Sequence, residues 1–210
     1  MRIAAESVVK AVKWRGRELV LKQRAPKRYR RREIDEQIRR QRTAHEARII
    51  RRLHGIGVPV PVIFFIDLAS SSLYMQRIMG VELRSYLSSA ELHRVGDVAE
   101  KLGRITAQMH SDGIAHGDLT LSNIIIDELH SPWIADFGLS SFTQDMEDYA
   151  VDIHLLERSL ESTYPNLRKA FMASFMRGYS SVVGLEYAGR VLEKVREIRM
   201  RGRYVVRERA

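Results

Sequence analysis

Between residues 116 and 138, two short polar clusters flank an apolar run, and no other stretch restricts the fold as tightly. The first cluster is His116-Gly117-Asp118-Leu119-Thr120-Leu121-Ser122-Asn123, the run is Ile124-Ile125-Ile126, and the second is Ala135-Asp136-Phe137-Gly138. A β-branched run between turn-forming residues reads as a strand with a functional loop at each end. The side chains on those loops are two carboxylates and an amide oxygen, hard ligands suited to magnesium and phosphate chemistry. Asparagine occurs at only two positions, 123 and 166, and the first of these falls five residues after Asp118. Cysteine is absent, which removes disulfides and thiolate metal sites.

In this order the first cluster resembles a kinase catalytic loop, H-x-D-x-x-x-x-N, and the second is the D-F-G that presents an aspartate to magnesium. On that reading Asp118 accepts the proton of an attacking hydroxyl or positions a water, while Asn123 and Asp136 hold the magnesium ions bridging the phosphates. His116 reads as scaffold. Gly117 stands where an arginine is usual, and that arginine ordinarily answers a phosphorylated activation loop, so this form of control is not expected. No A-P-E follows Gly138, and a helix should begin by about Glu147. The short segment between them is unsuited to docking an extended peptide. Asp148 and Asp152 read as helix-start carboxylates, with bracing of the catalytic loop as the alternative for Asp152.

The rest of the chain supplies the parts such a loop requires. Two strand-like runs over residues 3 to 22, joined by Arg15-Gly16-Arg17-Glu18, predict an antiparallel hairpin. Where a kinase hairpin carries G-x-G-x-x-G, this chain has Ala4-Ala5-Glu6-Ser7, with no glycine. Lys22 ends a Val-Leu-Lys run, the position of the lysine that holds the α- and β-phosphates. From Glu33 to Leu53, Ile34, Ile38, Ala47, Ile50 and Leu53 recur at helical spacing before Gly55 ends the helix. Glu46 is the candidate partner of Lys22. Glu33 and Glu36 sit near the helix start, where the dipole favours carboxylates for structural reasons. Residues 62–68 and 73–79 predict two more strands. A hinge follows from Met75 to Gly80, in which Met75 would line an adenine pocket and the backbone of Gln76 and Ile78 would hydrogen-bond the ring.

A clear amphipathic helix runs over Leu92, Val95, Val98, Ala99, Leu102, Ile105 and Met109 to a cap at Gly113, and helices near 147–162, 165–182 and 187–199 complete the chain. The expected fold is α+β: a minimal bilobal protein-kinase-like arrangement with an N-lobe of antiparallel sheet plus one helix (1–79), a mainly helical C-lobe (80–198) and a basic tail (199–210).

The formal net charge is +9, and 28 of the 35 basic residues are arginine, whose planar fork suits bidentate phosphate contact. The charge is concentrated in the loop Arg24-Ala25-Pro26-Lys27-Arg28-Tyr29-Arg30-Arg31-Arg32 and between Arg190 and Ala210. Both read either as solvated faces or as contacts to a polyanion. No run approaches the roughly 18 apolar residues of a membrane span, and a cytoplasmic location with no membrane contact is expected.

Taken together, Pro26-Lys27-Arg28-Tyr29-Arg30, Arg42-Thr43, Glu46-Ala47-Arg48, Gly57-Val58-Pro59, His116-Gly117-Asp118-Leu119-Thr120, Ser122-Asn123, Asp136-Phe137-Gly138-Leu139, Glu147-Asp148, Val151-Asp152 and Arg201-Gly202-Arg203 span nearly the whole chain. In this combination the sequence resembles the small atypical kinase of the KEOPS complex, the PRPK family. Leu121 and Ala135 depart from that pattern, where threonine and isoleucine are familiar. The resemblance implies an ATP- and Mg2+-dependent phosphotransferase able to autophosphorylate. It would act mainly as an ATPase beside the complex's threonylcarbamoyl-transferring subunit, in tRNA t6A modification. Contact of the basic loop and tail with KEOPS subunits or tRNA would follow. RIO-type ribosome-biogenesis kinases also use an H-G-D loop, and a non-catalytic kinase-fold scaffold is a further alternative. The D-F-G with Leu139 and the short following segment favour the KEOPS kinase, and the chain's small size and basic ends count against a small-molecule phosphotransferase of the antibiotic-kinase kind.

Overall fold

Alternating burial along one short strand organises the N-terminal part of the chain in the computed structural model, which describes the backbone of residues 2–3 and 7–207 and the side chains of residues 7–201. Five antiparallel strands, β1 (Arg2–Ile3), β2 (Ser7–Trp14), β3 (Arg17–Arg24), β4 (Ile63–Asp67) and β5 (Ser72–Gln76), form one sheet in the order β1-β2-β3-β5-β4. The hairpin turn is narrower than the sequence indicates. Trp14 pairs with Arg17, leaving Arg15 (φ 48°) and Gly16 (φ 79°) as a two-residue loop of the mirror-image type that matches strand twist. β3 also continues two residues beyond Lys22, so this lysine lies inside a central strand, paired to Val9 on one side and Leu73 on the other. Residues Ala4 to Glu6 of the expected phosphate lid lie outside the described residues, and Ser7 begins β2.

The helix α1 (Arg32–Gly55) buries Asp35, Thr43, Glu46, Ala47, Ile49, Ile50 and Leu53. The stripe differs from the expected one at its start. Ile34 is 50% exposed and Asp35 is buried instead, because the Asp35 carboxylate accepts hydrogen bonds from the Arg39 guanidinium at 2.7 Å and the Lys27 amide at 3.3 Å. The helix ends at Gly55 as expected, and Gly57, at φ 80°, is the residue in the left-handed conformation, its amide donating to the His54 carbonyl at 3.1 Å. These elements belong to one compact unit, Met1–Met79 together with Asp136–Gly138.

The second unit comprises Gly80–Ala135 and Leu139–Ala210. The apolar run becomes β8 (Ile124–Asp127), paired with β6 (Gly80–Glu82) and β9 (Pro132–Ile134). A second small ladder joins β7 (Ile114–Ala115) to β10 (Ser141–Phe142). Around these lie α2 (Leu83–Tyr86), α3 (Leu92–Ser111), α4 (Met146–Thr163), α5 (Pro165–Val183) and α6 (Leu185–Arg207). Pro165 stands in the first turn of α5, where the missing amide proton costs nothing. The helix α6 passes through the boundary expected at 198/199, so the basic segment is helical to Arg207, and residues 208–210 lie outside the described residues.

The core of this unit is the α3–α5 contact, and glycine makes it possible. A Cβ at Gly103 would overlap the Phe175 carbonyl, and one at Gly178 would overlap the Glu100 carbonyl. The two backbones therefore touch, with Leu102, Phe171, Phe175 and Tyr179 fully buried around the crossing. Gly189 in α6 is different, since a Cβ there meets nothing within 4 Å. Gly178→Ala should lower stability by about 2–3 kcal/mol through overpacking, whereas Gly189→Ala should raise it by about 0.5–1 kcal/mol through helix propensity. Urea unfolding of the two variants should move the midpoint in opposite directions.

Candidate active site

A strand's side chains repeat every two residues, so Lys22 and Arg24 project from the same face of β3. Both are 5% exposed, and both end on one carboxylate of α1. Lys22 Nζ lies 2.5 Å from Glu46 Oε1, and Arg24 Nη2 lies 2.6 Å from Glu46 Oε2. Glu46 is 1% exposed, so each of its oxygens is matched by a cation in a dry environment. Removing either partner of such a pair typically costs about 3–5 kcal/mol, because the other charge is left buried and uncompensated. Glu33 is exposed, and exposed Glu36 pairs with Arg32 at 2.9 Å, so neither competes for Lys22.

Lys22 has a second carboxylate partner in the same unit, Asp136 Oδ1, also at 2.5 Å. The two partners are unequal. The Asp136 side chain is 47% exposed against 1% for Glu46, so water competes far more effectively for the aspartate. Asp136 also sits at φ 63°, a left-handed conformation that aspartate tolerates better than most residues. Its Oδ1 accepts the Gly138 amide at 3.2 Å, which stabilises that turn. Phe137 is fully buried. Arg24 escaped the sequence reading, although the period-two rule applied to a strand containing Lys22 points to it.

Of the hinge candidates, Met75 is 8% exposed and pairs with Val20 in the sheet. The Gln76 amide donates to the Val62 carbonyl at 2.8 Å, and its side-chain oxygen accepts the Val62 amide at 3.3 Å. A backbone contact from Gln76 to a ring would therefore use its carbonyl. Ile78 is half-buried in the irregular stretch between β5 and β6.

In the second unit the loop after β7 is fixed by a buried carboxylate from α4. Asp152, fully buried, accepts the His116 amide at 2.6 Å, the Gly117 amide at 2.8 Å and His110 Nε2 at 3.2 Å. Bracing of the loop is thus what Asp152 does, and the helix-start reading is incorrect for it. The residue lies one and a half turns into α4, where Asp145 provides the cap by accepting the Glu147 amide at 2.8 Å. The signal in the sequence was a lone aspartate on the apolar face formed by Tyr149, Ile153 and Leu156. Behind it, His110 Nδ1 accepts from the Tyr179 hydroxyl at 2.9 Å and the His110 ring stacks on Tyr149 at 4.6 Å. Burial pushes the Tyr179 phenol far above its usual range, so it stays a neutral donor.

His116 is also a brace. The Asp118 amide donates to His116 Nδ1 at 3.2 Å, which leaves Nε2–H to donate to the Ala135 carbonyl at 3.1 Å. Gly117 adopts φ 76°, and a Cβ there would overlap the Leu139 carbonyl. An arginine cannot occupy this position without remodelling the loop. Asp118 is half-buried, and Asn123 Nδ2 donates both to its carboxylate Oδ2 at 2.9 Å and to its carbonyl at 2.8 Å. With both amide hydrogens directed at Asp118, the Asn123 side-chain oxygen is the donor atom left for a cation. The Ala135 amide, one residue before Asp136, donates to the Asn123 carbonyl at 2.9 Å. Leu119, Leu121, Ile124 and Ile126 are core.

Comparison with known proteins agrees with this geometry. The protein kinase domain model matches residues 5–157. The KEOPS complex subunit Bud32 of Pyrococcus abyssi is 38% identical over 91% of this chain and 86% of its own length. The EKC/KEOPS complex subunit Tp53rkb of Mus musculus is 38% identical over 95% of this chain and 84% of its own. A probable bifunctional tRNA threonylcarbamoyladenosine biosynthesis protein of Methanothermobacter thermautotrophicus is 36% identical over 95% of this chain, which corresponds to 35% of that protein.

The Asp152 network generates a direct expectation. Asp152→Ala orphans two loop amides and the buried His110, and should lower stability by about 3–5 kcal/mol. Asp152→Asn retains one acceptor oxygen and should lose about half as much. Guanidinium unfolding of both variants gives the measurement, and equal stability of Asp152→Ala and the parent would contradict the bracing role.

Proposed function

Since the chain belongs to the Bud32 family of protein kinases, we propose that it is a catalytically competent, ATP- and Mg2+-dependent serine/threonine kinase and ATPase of a KEOPS assembly supporting tRNA threonylcarbamoyladenosine formation. The observation that carries the catalytic part is Lys22, buried between Glu46 and Asp136 at 2.5 Å from each. Two relatives are named as KEOPS subunits, and a third, for tRNA threonylcarbamoyladenosine biosynthesis, joins the matching region to a longer chain. These names support placing the chain beside the threonylcarbamoyl-transferring subunit, with tRNA reached through the complex. Among the described residues no helix is long and apolar enough to cross a membrane. A cytoplasmic location accords with the proposed pathway.

The donor set fits magnesium and a nucleotide. Asp136 and the Asn123 oxygen are hard ligands of the kind that bind this ion together with substrate phosphates and water. Magnesium, when bound, neutralises charge developing on the transferred phosphoryl group. Lys22 would bind the α- and β-phosphate oxygens. A phosphate at Lys22 would compete with exposed Asp136 more readily than with buried Glu46, so Glu46 would keep the lysine oriented and Asp136 would be available to hold magnesium. Met75 would line the adenine pocket, with the Gln76 carbonyl and the Ile78 backbone at the ring edge. Asp118, oriented by Asn123, accepts the proton of a serine or threonine hydroxyl, or aligns a water when ATP is hydrolysed. His116 and Asp152 hold the loop and take no proton.

Asp136→Ala should abolish Mg2+-dependent ADP release while leaving the fold intact. Asp118→Asn should lower kcat roughly 10²–10⁴-fold with little change in KM for ATP. Rates for Asp136→Ala equal to the parent, measured alone and with the transferase subunit, would sink the catalytic reading.

A further inference from the structure

The basic loop after β3 is more than a solvated face. With the first turns of α1 it encloses a narrow depression lined by the cations Arg24, Lys27, Arg30, Arg39 and Arg42. Its cavity volume is about 10 Å3, room for one water-sized group, so anything larger must seat at the mouth against the guanidinium groups.

The depression is built rather than incidental. Asp35, 3% exposed, holds Arg39 at 2.7 Å and Arg30 at 3.7 Å, and their side chains are only 15% and 23% exposed. The Arg39 guanidinium in turn keeps the Asp35 carboxyl below the usual carboxylate range, so this counter-charge is permanent near neutrality. Arg39 also reaches the Ser71 hydroxyl at 3.5 Å, and Arg30 lies over the Tyr29 ring at 5.3 Å. The second observation is independent. Arg24 gives Nη2 to Glu46, but its Nε is buried and has no hydrogen-bond partner. Buried donors are ordinarily satisfied, and one left without a partner among converging cations marks an acceptor still to come.

We propose that this depression is a recognition site for a dianionic phosphoryl group carried on a phosphoserine or phosphothreonine side chain. Guanidinium forks held at fixed angles match the oxygens of a phosphate monoester. Lys27 and Arg42 have partners of their own and contribute through their field. Concavity favours a monoester over a nucleic-acid strand. A phosphoryl group on a thin side-chain stem can place one oxygen in the narrow mouth while the rest seats against the guanidinium groups, whereas a phosphodiester carries one charge and a sugar on each side. Because Arg24 shares Glu46 with Lys22, an occupant would act on the same carboxylate that orients the phosphate-binding lysine.

The test is 31P NMR titration of O-phospho-L-serine against the full chain, with excess Mg2+-ADP present throughout. Saturable binding is expected in the parent, and none of L-serine by proton-detected titration. Arg30→Gln should weaken phosphoserine binding roughly tenfold, the loss of one charge-assisted contact, and Arg42→Gln should weaken it several-fold through loss of its field. Arg42→Gln, which leaves the Asp35 pairs intact, serves if Arg30→Gln does not fold. Asp118→Asn should leave phosphoserine binding unchanged even where nucleotide turnover is lost, which separates this site from the proposed active site. No saturable binding in the parent, or parent-like affinity in both arginine variants, overturns the proposal. Full displacement of phosphoserine by a single-stranded RNA twelve-mer that is itself weakened by the same variants would assign the depression to RNA backbone instead.

Discussion

A single buried carboxylate, Glu46, organises the N-terminal unit. A carboxylate at 1% exposure persists as an ion only if both of its oxygens are compensated, and here they are, by Lys22 at 2.5 Å and Arg24 at 2.6 Å. That requirement fixes the strand and the helix together. β3 must present residues two apart to α1, and α1 must place Glu46 on its buried face beside Ala47, Ile49 and Ile50. Neither cation can be exchanged for an apolar residue without exposing the cost of the other charges. Asp136, the exposed member of the cluster, is the only one of the four whose charge water can screen well. The cluster therefore has a rigid part and a yielding part, the division a reversible phosphate site needs.

The second unit repeats this strategy with a different acceptor. Asp152 anchors two consecutive amides of the His116 loop, and the anchor is itself tied through His110 to Tyr179 on α5. The loop's backbone is consequently an extension of the α3–α5 core, where glycines allow two helices to touch. Packing and chemistry are coupled here by hydrogen bonds that a single side chain accepts.

Much of this was legible in the sequence. The polar clusters around Ile124–Ile126, the helix over 92–111 and Pro165 at a helix start were readable, because spacing, β-branching and the missing amide are local properties. The pairing of Lys22 with Glu46 was readable from their order along the chain, and the structure adds Asp136 to it. What could not be read was decided by partners distant in sequence. Asp152 looked like a helix-start residue because nothing local reveals two amides 35 and 36 positions upstream. Arg24 looked like a member of a charge run, since burial of an ion depends on counter-ions that periodicity does not record. The basic tail looked like a loose end, yet it continues α6.

That last helix carries its own consequence. Arg199 reaches Glu157 at 3.1 Å and Glu161 at 2.7 Å, and Arg201 reaches Glu147 at 2.7 Å, so three carboxylates of α4 fasten the far end of α6. Exposed ion pairs of this kind are individually worth only about 0.2–1 kcal/mol and weaken within the Debye screening of ordinary salt. The α6 segment around Arg199 and Arg201 is therefore held more firmly in dilute buffer than in concentrated salt. A partner that binds it in the first condition meets a surface already ordered and forfeits little conformational entropy.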